Sequence, residues 1–417
     1  MRKWIILLIV IIVAGTISSA ALAGYIYYQE MQTYEDYQKK ELEEAALKNI
    51  YIDSVVPIEL KQTNGEAYVE FNQSFASIVK GAPTYQLDVE TKGDATYITL
   101  RQEEDIDVLL MVRESSALCT VYLPQESIDK LIINNRFNHS YIHNRSNTLI
   151  SLSDMNVKNL EIDSKEAKIL LYGAYEKIKI SGDAVLTIYS TIPSYVQIEG
   201  NIRGKLTGQY NKVEINENGG RIDIDSEIPT EVWARGGQGE LKLSGSYTKV
   251  DVQERRDGTI DIRSNSLCTA NIHNDYGNIY LEGAFEDVLV YSEAAEVWIN
   301  STVMPKRLNL LGGSNKISLL LPNNLQGLDI TCSEPYAELG YRPISNFPLK
   351  RQTIDNQVKY TFGDLSTKIL VDIIEDNELY IGTNGYICDV QATKQGAQST
   401  QSTQSTQSTT EKTEATN

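Results

Sequence analysis

Three histidines, His139, His143 and His273, are the first residues to weigh as metal ligands or general bases. His139 and His143 stand four apart. On a helix that spacing puts both rings on one face; on a strand it separates them by roughly 13 Å, beyond the reach of one metal ion. The surrounding RFNHSYIHNR is β-like, so both read as polar surface. The acids Asp223, Asp225, Asp251 and Asp261 would point outward from strands, where adjacent repeats could gather them for glycan hydrolysis or for calcium. Solvated acids on a strand face are the simpler reading, since the chain carries no EF-hand loop, no RTX-like nonapeptide, no G-x-S-x-G, no H-E-x-x-H and no Walker A loop. The remaining candidates are aromatic. Tyr280, Trp298 and Trp233 interrupt an outward pattern that is otherwise mostly polar. Exposed side by side, Tyr280 and Trp298 would offer a flat platform to a sugar or a protein. The alternative is that a loop or the C-terminal segment covers them. No catalytic residue, cofactor site or metal site is expected, and the chain reads as a non-enzyme.

What must position these residues is a repeat. A Φ-x-Φ pair, where Φ is apolar, returns every 17 to 20 positions: Leu160/Ile162, Ile178/Ile180, Val196/Ile198, Val213/Ile215, Val232/Ala234, Val250/Val252, Ala270/Ile272, Val288/Val290, Leu308/Leu310 and Leu328/Ile330. A second pair follows within many units, as in Ile222/Ile224, Leu241/Leu243, Ile260/Ile262, Ile279/Leu281, Val297/Ile299 and Ile317/Leu319. Side chains alternate across a strand, so the Φ residues share one core and the intervening ones point out. Gly220, Gly239, Gly258 and Gly277 recur at intervals of 19, which marks a turn at fixed phase. A fixed short period predicts stacked two-strand units. The fold expected is all-β: a β-solenoid of 18–20-residue two-strand units with β-structured caps, preceded by one N-terminal transmembrane helix.

A longer period overlies the first. Gly173-Ala-Tyr175, Gly208-Gln-Tyr210, Gly245-Ser-Tyr247 and Gly283-Ala-Phe285 alternate with Ile192-Pro193-Ser194, Ile228-Pro229-Thr230, Leu267-Cys268-Thr269 and Met304-Pro305-Lys306. Either one solenoid turn holds two units, or the loops alternate along a stack of one-unit turns.

Arg2-Lys3 precedes a stretch from Trp4 to Gln29 without a charge, and Glu30, Glu35 and Asp36 follow it. A run of that length spans a bilayer core, and the flanking charges place the N-terminus in the cytoplasm and the bulk outside. Ala21-Leu22-Ala23 before Gly24 also fits a signal-peptidase site, which leaves cleavage open. The organisation expected is a signal-anchor helix over 1–28, a helical juxtamembrane stalk over 29–50, a β-structured N-terminal cap over 51–128, repeats over 129–341, a C-terminal β cap over 342–390, and a disordered Gln/Ser/Thr-rich tail over 391–417. The formal charge of -18 argues against nucleic acid, whose binding rests on Lys and Arg neutralising phosphates. Cys119, Cys268, Cys332 and Cys388 are widely spaced, with no CxxC or Cys/His arrangement, and are expected to be free thiols.

Leu123-Pro124, the glycine-phased units, Leu321-Pro322 followed by GLDITCSEPYAELGY, and the closing KYTFGDLSTKILVDIIEDNELYIG with Gly363 resemble the DUF4097 family of adhesin-like β-strand-repeat proteins of Gram-positive bacteria. The resemblance covers roughly residues 50–385. It implies surface exposure and a β-solenoid, and no catalytic residues. Combined with the apolar N-terminus, it suggests a single-pass protein of the bacterial plasma membrane, bulk extracellular, acting as an adhesin-like module toward a glycan, cell-wall or protein ligand. Some members of that family belong to envelope-stress responses. The second reading is therefore a stress-sensing or regulatory protein that acts with a membrane partner.

Overall fold

The structure is a computed structural model that describes residues 34–75, 85–102, 115–124, 127–136, 148–217, 219–312, 316–323, 327–332, 344–345, 347–354, 357–363, 367–373 and 378–383. Within these residues the chain is almost all strand, as expected, with one turn of 3-10 helix at Glu44–Ala46. No helix among them is long and apolar enough to cross a membrane. The expected N-terminal span, the Gln/Ser/Thr tail, His139 and His143 all lie outside the described residues. The chain divides into two compact units, Met1–Gly239 and Glu240–Asn417.

The first unit contains β1 (Tyr34–Glu41), β2 (Asn49–Ser54), β3 (Ile58–Thr63), β4 (Tyr68–Phe75), β5 (Tyr85–Lys92), β6 (Ala95–Gln102), β7 (Ser115–Pro124), β8 (Ser127–Asn135), β9 (Thr148–Glu217) and β10 (Gly220–Arg235). β9 is long because its backbone stays extended around several corners. The register fixes the repeat. Ile222 and Ile224 pair in parallel with Gly204 and Leu206, and Val232 and Ala234 with Val213 and Ile215. One sequence unit therefore makes one turn, or rung, with two strands in it. All ten Φ-x-Φ pairs of the first strands are buried, none more than 2% exposed. Each Val, Leu or Ile among them contributes about 1.5–3 kcal/mol relative to an exposed one, so every added rung extends a continuous core.

The early rungs do not stack in chain order. One column runs β6–β2–β8–β9 and the other β7–β3–β9, all parallel. The β2–β3 rung is thus held between the β6–β7 rung and the β8–β9 rung. Antiparallel strands close the outer edge: β5 on β6, β4 on β7 and β1 on β4. Two expectations are corrected. β2 and β3 are interior to the stack, not part of its cap. The helical stalk over 29–50 is not seen where that segment is described, because Tyr34–Glu41 is a strand. Gln38 donates to the Tyr85 carbonyl and accepts from the Leu87 amide, and the Lys40 ammonium also donates to the Leu87 carbonyl. Helix propensity is a weak prior, and here a complete ladder to β4 overrides it.

The second unit begins one residue into β11 (Gly239–Arg255) and continues through β12 (Ile260–Asn274), β13 (Ile279–Ser292), β14 (Glu296–Ser301), β15 (Arg307–Gly312), β16 (Lys316–Leu321), β17 (Gly327–Cys332), β18 (Ile344–Ser345), β19 (Lys350–Ile354), β20 (Gln357–Gly363), β21 (Thr367–Ile373) and β22 (Glu378–Thr383). One column runs β11–β12–β13–β15–β21–β17. The other runs β11–β12–β13–β14–β16–β22–β18. Antiparallel β20 and then β19 follow β17. The C-terminal strands were expected to cover the end of the stack, with Leu328/Ile330 directly on Leu308/Leu310. Instead β21 pairs Leu308 with Ile369 on one side and Ile369 with Ile330 on the other. The last rung in sequence is therefore wedged inside the last rungs in space.

The corners explain the longer period. Tyr175, Tyr210 and Tyr247 are fully buried, and Tyr210 donates to the carbonyls of Ile188 at 3.1 Å and Thr207 at 2.7 Å. On the following rung Ser194, Thr230 or Ser266 donates its hydroxyl to the carbonyl of that tyrosine. Two corner types alternate along a stack of one-unit turns, so the second of the two sequence alternatives holds. In the third instance Ser266 does this, one residue before the Leu267-Cys268-Thr269 singled out by spacing. Cys119 and Cys268 are free and buried, and desolvation pushes both thiols up to about 12.

The phased glycines serve close backbone approach. Gly277 has φ +110°, and a Cβ there would fall inside the van der Waals envelope of the Gly258 carbonyl oxygen on the preceding rung. Gly277→Ala should therefore lose about 3 kcal/mol in urea unfolding, combining roughly 1–2 for the left-handed backbone with roughly 1–3 for overpacking. Gly65→Ala should stay within about 0.5 kcal/mol, because its added Cβ would only touch Thr63 Oγ1 at 3.7 Å.

Candidate functional site

The candidate site is the outward face of the second column in unit two. Alternation buries Ile279, Leu281, Val297, Ile299, Ile317, Leu319, Leu379 and Ile381. The residues between them must face out. In register they read Lys242, Asp261, Tyr280, Trp298, Ser318 and Tyr380. Tyr280 and Trp298 are Cα partners on neighbouring strands, as the one-unit rung requires. Neighbouring strands lie about 4.8 Å apart, so the two residues occupy adjacent positions on this face. Both are half-buried.

Ser318 follows Trp298, and Tyr380 follows Ser318. A small polar residue between two aromatic ones makes a shallow notch about two strand spacings wide. On one side of this line stand Arg263, Glu282, Asn300 and Leu320; on the other stand Glu296 and Lys316. Arg263 is held by Asp261 at 3.2 Å and lies 3.8 Å from Glu282. Asn300 is different: its Oδ1 is buried and has no hydrogen-bond partner among the described residues. A buried acceptor left unmade costs about 1–3 kcal/mol, so a water or a ligand hydroxyl is what this atom calls for.

Trp233 does not join this face. It lies in the first unit as the register partner of Glu214. The Lys212 ammonium sits 5.4 Å from its ring and 5.9 Å from that of Tyr195. Tyr195 donates to Glu214 at 2.6 Å, and Lys212 pairs with Glu214 at 2.6 Å. The hydrogen bond from Lys212, then that from Tyr195, holds the Glu214 carboxyl below its usual range. Burial, more than the Glu214 contact, pushes the Tyr195 hydroxyl up to about 12.

The acids weighed for catalysis do not converge. Asp223 and Asp225 belong to unit one, where Arg221 grips Asp223 through two hydrogen bonds. Asp251 and Asp261 belong to different columns of unit two. Asp251 accepts from Gln253 at 2.6 Å and Asn271 at 3.3 Å, with Lys249 at 3.6 Å. His273 is bonded to Asp275 at 3.1 Å and meets the Tyr291 ring edge-on at 4.5 Å. Among the described residues no group of three or more His, Cys, Asp or Glu is placed to hold a metal ion.

Sequence reasoning missed Tyr380 and Asn300 as members of the face. A signal for Tyr380 existed. NIYLE (278–282), EVWIN (296–300) and ELYIG (378–382) share an aromatic flanked by two inward aliphatic residues. The long separation of the third hid the kinship.

No protein-family model matches the chain, and no curated relative matches it. Among solved structures, that of a proposed cell adhesion protein from Clostridium sporogenes aligns over 84% of this chain and 100% of its own, at 9% identity and a TM-score of 0.18. At that similarity it bears on neither fold nor function.

If Tyr280 and Trp298 form an outward face, Tyr280→Ser with Trp298→Ser should lower stability by only about 1–2 kcal/mol, the scale of cross-strand surface pairs. Ile279→Ala beneath them should cost about 2–5 kcal/mol. Urea unfolding of the variants tests this. A double-serine loss as large as that of Ile279→Ala would mean the rings belong to the packed core.

Proposed function

We propose that this chain is a non-enzymatic binding module at the bacterial cell surface, and that the Tyr280–Trp298–Ser318–Tyr380 line takes a glycan by the apolar faces of its sugar rings. The observation that carries the reading is the in-register aromatic pair beside a buried, unpartnered acceptor at Asn300. Aromatic faces pack against the C–H faces of a pyranose, and Asn300 Oδ1 would accept from one of its hydroxyls. Lys316 and Glu296, register partners, supply both donors and acceptors at the rim, which suits an uncharged, hydroxyl-rich ligand. Anchoring rests on the uncharged stretch from Trp4 to Gln29, long enough for a bilayer core. The plasma membrane is then the protein's first partner, and the cell wall or a neighbouring surface its second.

Full-length protein in lipid nanodiscs, screened against neutral glycans and peptidoglycan fragments, should retain a subset of them. Tyr280→Ser with Trp298→Ser should weaken retention about tenfold or more, and Tyr380→Ser should also weaken it, a tenfold loss being about 1.4 kcal/mol. Retention unchanged by these substitutions would remove the site. Retention of cationic peptides alone, lost in salt, would favour the envelope-stress reading instead.

A further inference from the structure

Unit one presents a second face of different chemistry. It is the outward side of the column that holds the second strand of each rung. Tyr172 and Tyr189 are 41% and 37% exposed, and Val185 is 55% exposed. Large apolar groups this open are unusual on a strand face whose neighbours are polar. Tyr172 immediately precedes Gly173, whose carbonyl accepts from Thr191, two residues after Tyr189. The two tyrosines therefore sit on neighbouring rungs. Gly204 lies directly over the backbone and Cβ of Leu186, which places Arg203 and Lys205 on the rung above Val185 and Thr187. Lys168 is on the same outward side of its strand as Tyr172.

Three adjacent rungs thus read Lys168-Leu170-Tyr172, Val185-Thr187-Tyr189 and Arg203-Lys205-Thr207. Lys168, Arg203 and Lys205 are all exposed. None of the three forms an ion pair with any described residue. The acids nearest this face are Asp223 and Asp225, register partners of Lys205 and Thr207, with Asp223 already gripped by Arg221, and Asp183, two residues before Val185 on the same outward side. In a chain of net charge -18, three cations left without partners beside two open tyrosines are out of character. Some other lysines of this unit are matched, as Lys158 is by Asp129 and Lys212 by Glu214.

We propose that this face binds an acidic polysaccharide. The tyrosines would stack on sugar rings, while Arg203, Lys205 and Lys168 would meet carboxylate or sulfate groups along the chain. Arg203 and Lys205 stand two apart on one strand, roughly 7 Å, and Lys168 lies two rungs away, roughly 10 Å. Cations spaced across several rungs match a ligand whose charge repeats, not a single small anion. Each exposed contact is weak, so binding depends on several being made at once by one chain. This surface belongs to the first unit and shares no residue with the Tyr280–Trp298 line.

The test uses full-length protein and three probes: a sulfated heparin hexasaccharide, a polygalacturonate oligomer and uncharged dextran. Binding to at least one acidic probe, absent for dextran and weakened as salt rises, is expected. Lys168→Gln with Arg203→Gln and Lys205→Gln should cost tenfold or more in affinity, and so should Tyr172→Ser with Tyr189→Ser. Tyr280→Ser with Trp298→Ser should leave it unchanged, which separates this site from the one above. All substituted side chains are exposed or at the other site, and an unchanged unfolding midpoint verifies the fold. Failure of both acidic probes overturns the proposal. So does acidic binding that the cation or the tyrosine variant leaves intact.

Discussion

Every rung of a parallel coil needs a strand on each side, because an unpaired row of amides and carbonyls either pairs with a foreign chain or forfeits its hydrogen bonds. That demand shapes both units. In the interior, the next sequence repeat meets it. At the ends it cannot be met that way, and the chain departs from sequential stacking. β2–β3 is held inside the rung that follows it at the start of unit one, and β21–β22 inside the rung that precedes it at the end of unit two. Antiparallel β1, β4 and β5 in the first case, and β20 and β19 in the second, then close the edge. A rung paired on both faces cannot peel off without breaking two ladders, so the insertion protects the stack as well as terminating it.

The same insertion assembles the candidate glycan site. Tyr380 reaches Ser318 only because β22 occupies the place where the next sequential rung would have gone. Without it, the aromatic line would end at Trp298 and Ser318. Corner chemistry supports the rest. The hydroxyls of Ser194, Thr230 and Ser266 tie each tyrosine-bearing rung to the next at the same point. This keeps the phase of the strands constant, and constant phase keeps outward residues aligned from rung to rung.

Much of this was legible in the sequence, because side-chain alternation and a short period are local signals. The ten Φ-x-Φ pairs predicted the core, the glycines at intervals of 19 marked the turn where Gly277 meets the rung before it, and Tyr280 beside Trp298 followed from arithmetic on the repeat. What failed was non-local. Tyr34–Glu41 has the composition of a helix, and only its pairing with β4 makes it a strand. Nothing local tells Leu328/Ile330 that β21 will come between it and Leu308/Leu310. Trp233 looked like a member of the aromatic set, yet it shares no column with the other two. The alternating corners were visible as a period, but the hydroxyl-to-carbonyl bond that explains them needs both rungs in view.

The inserted rung is what the end of unit two depends on, and a cross-link reads it directly. In a chain whose four native cysteines are replaced by alanine, Asn309→Cys would be combined with Leu370→Cys, and separately with Asp329→Cys. Asn309 and Leu370 are register partners, about 4.8 Å apart, within disulfide range. Asn309 and Asp329 are separated by the intervening strand and by two residues of register, roughly 12 Å, which is out of range. Rapid disulfide formation under mild oxidation in the first pair and none in the second is the predicted result. Efficient bridging of Asn309 to Asp329 would show sequential stacking and contradict the inserted rung.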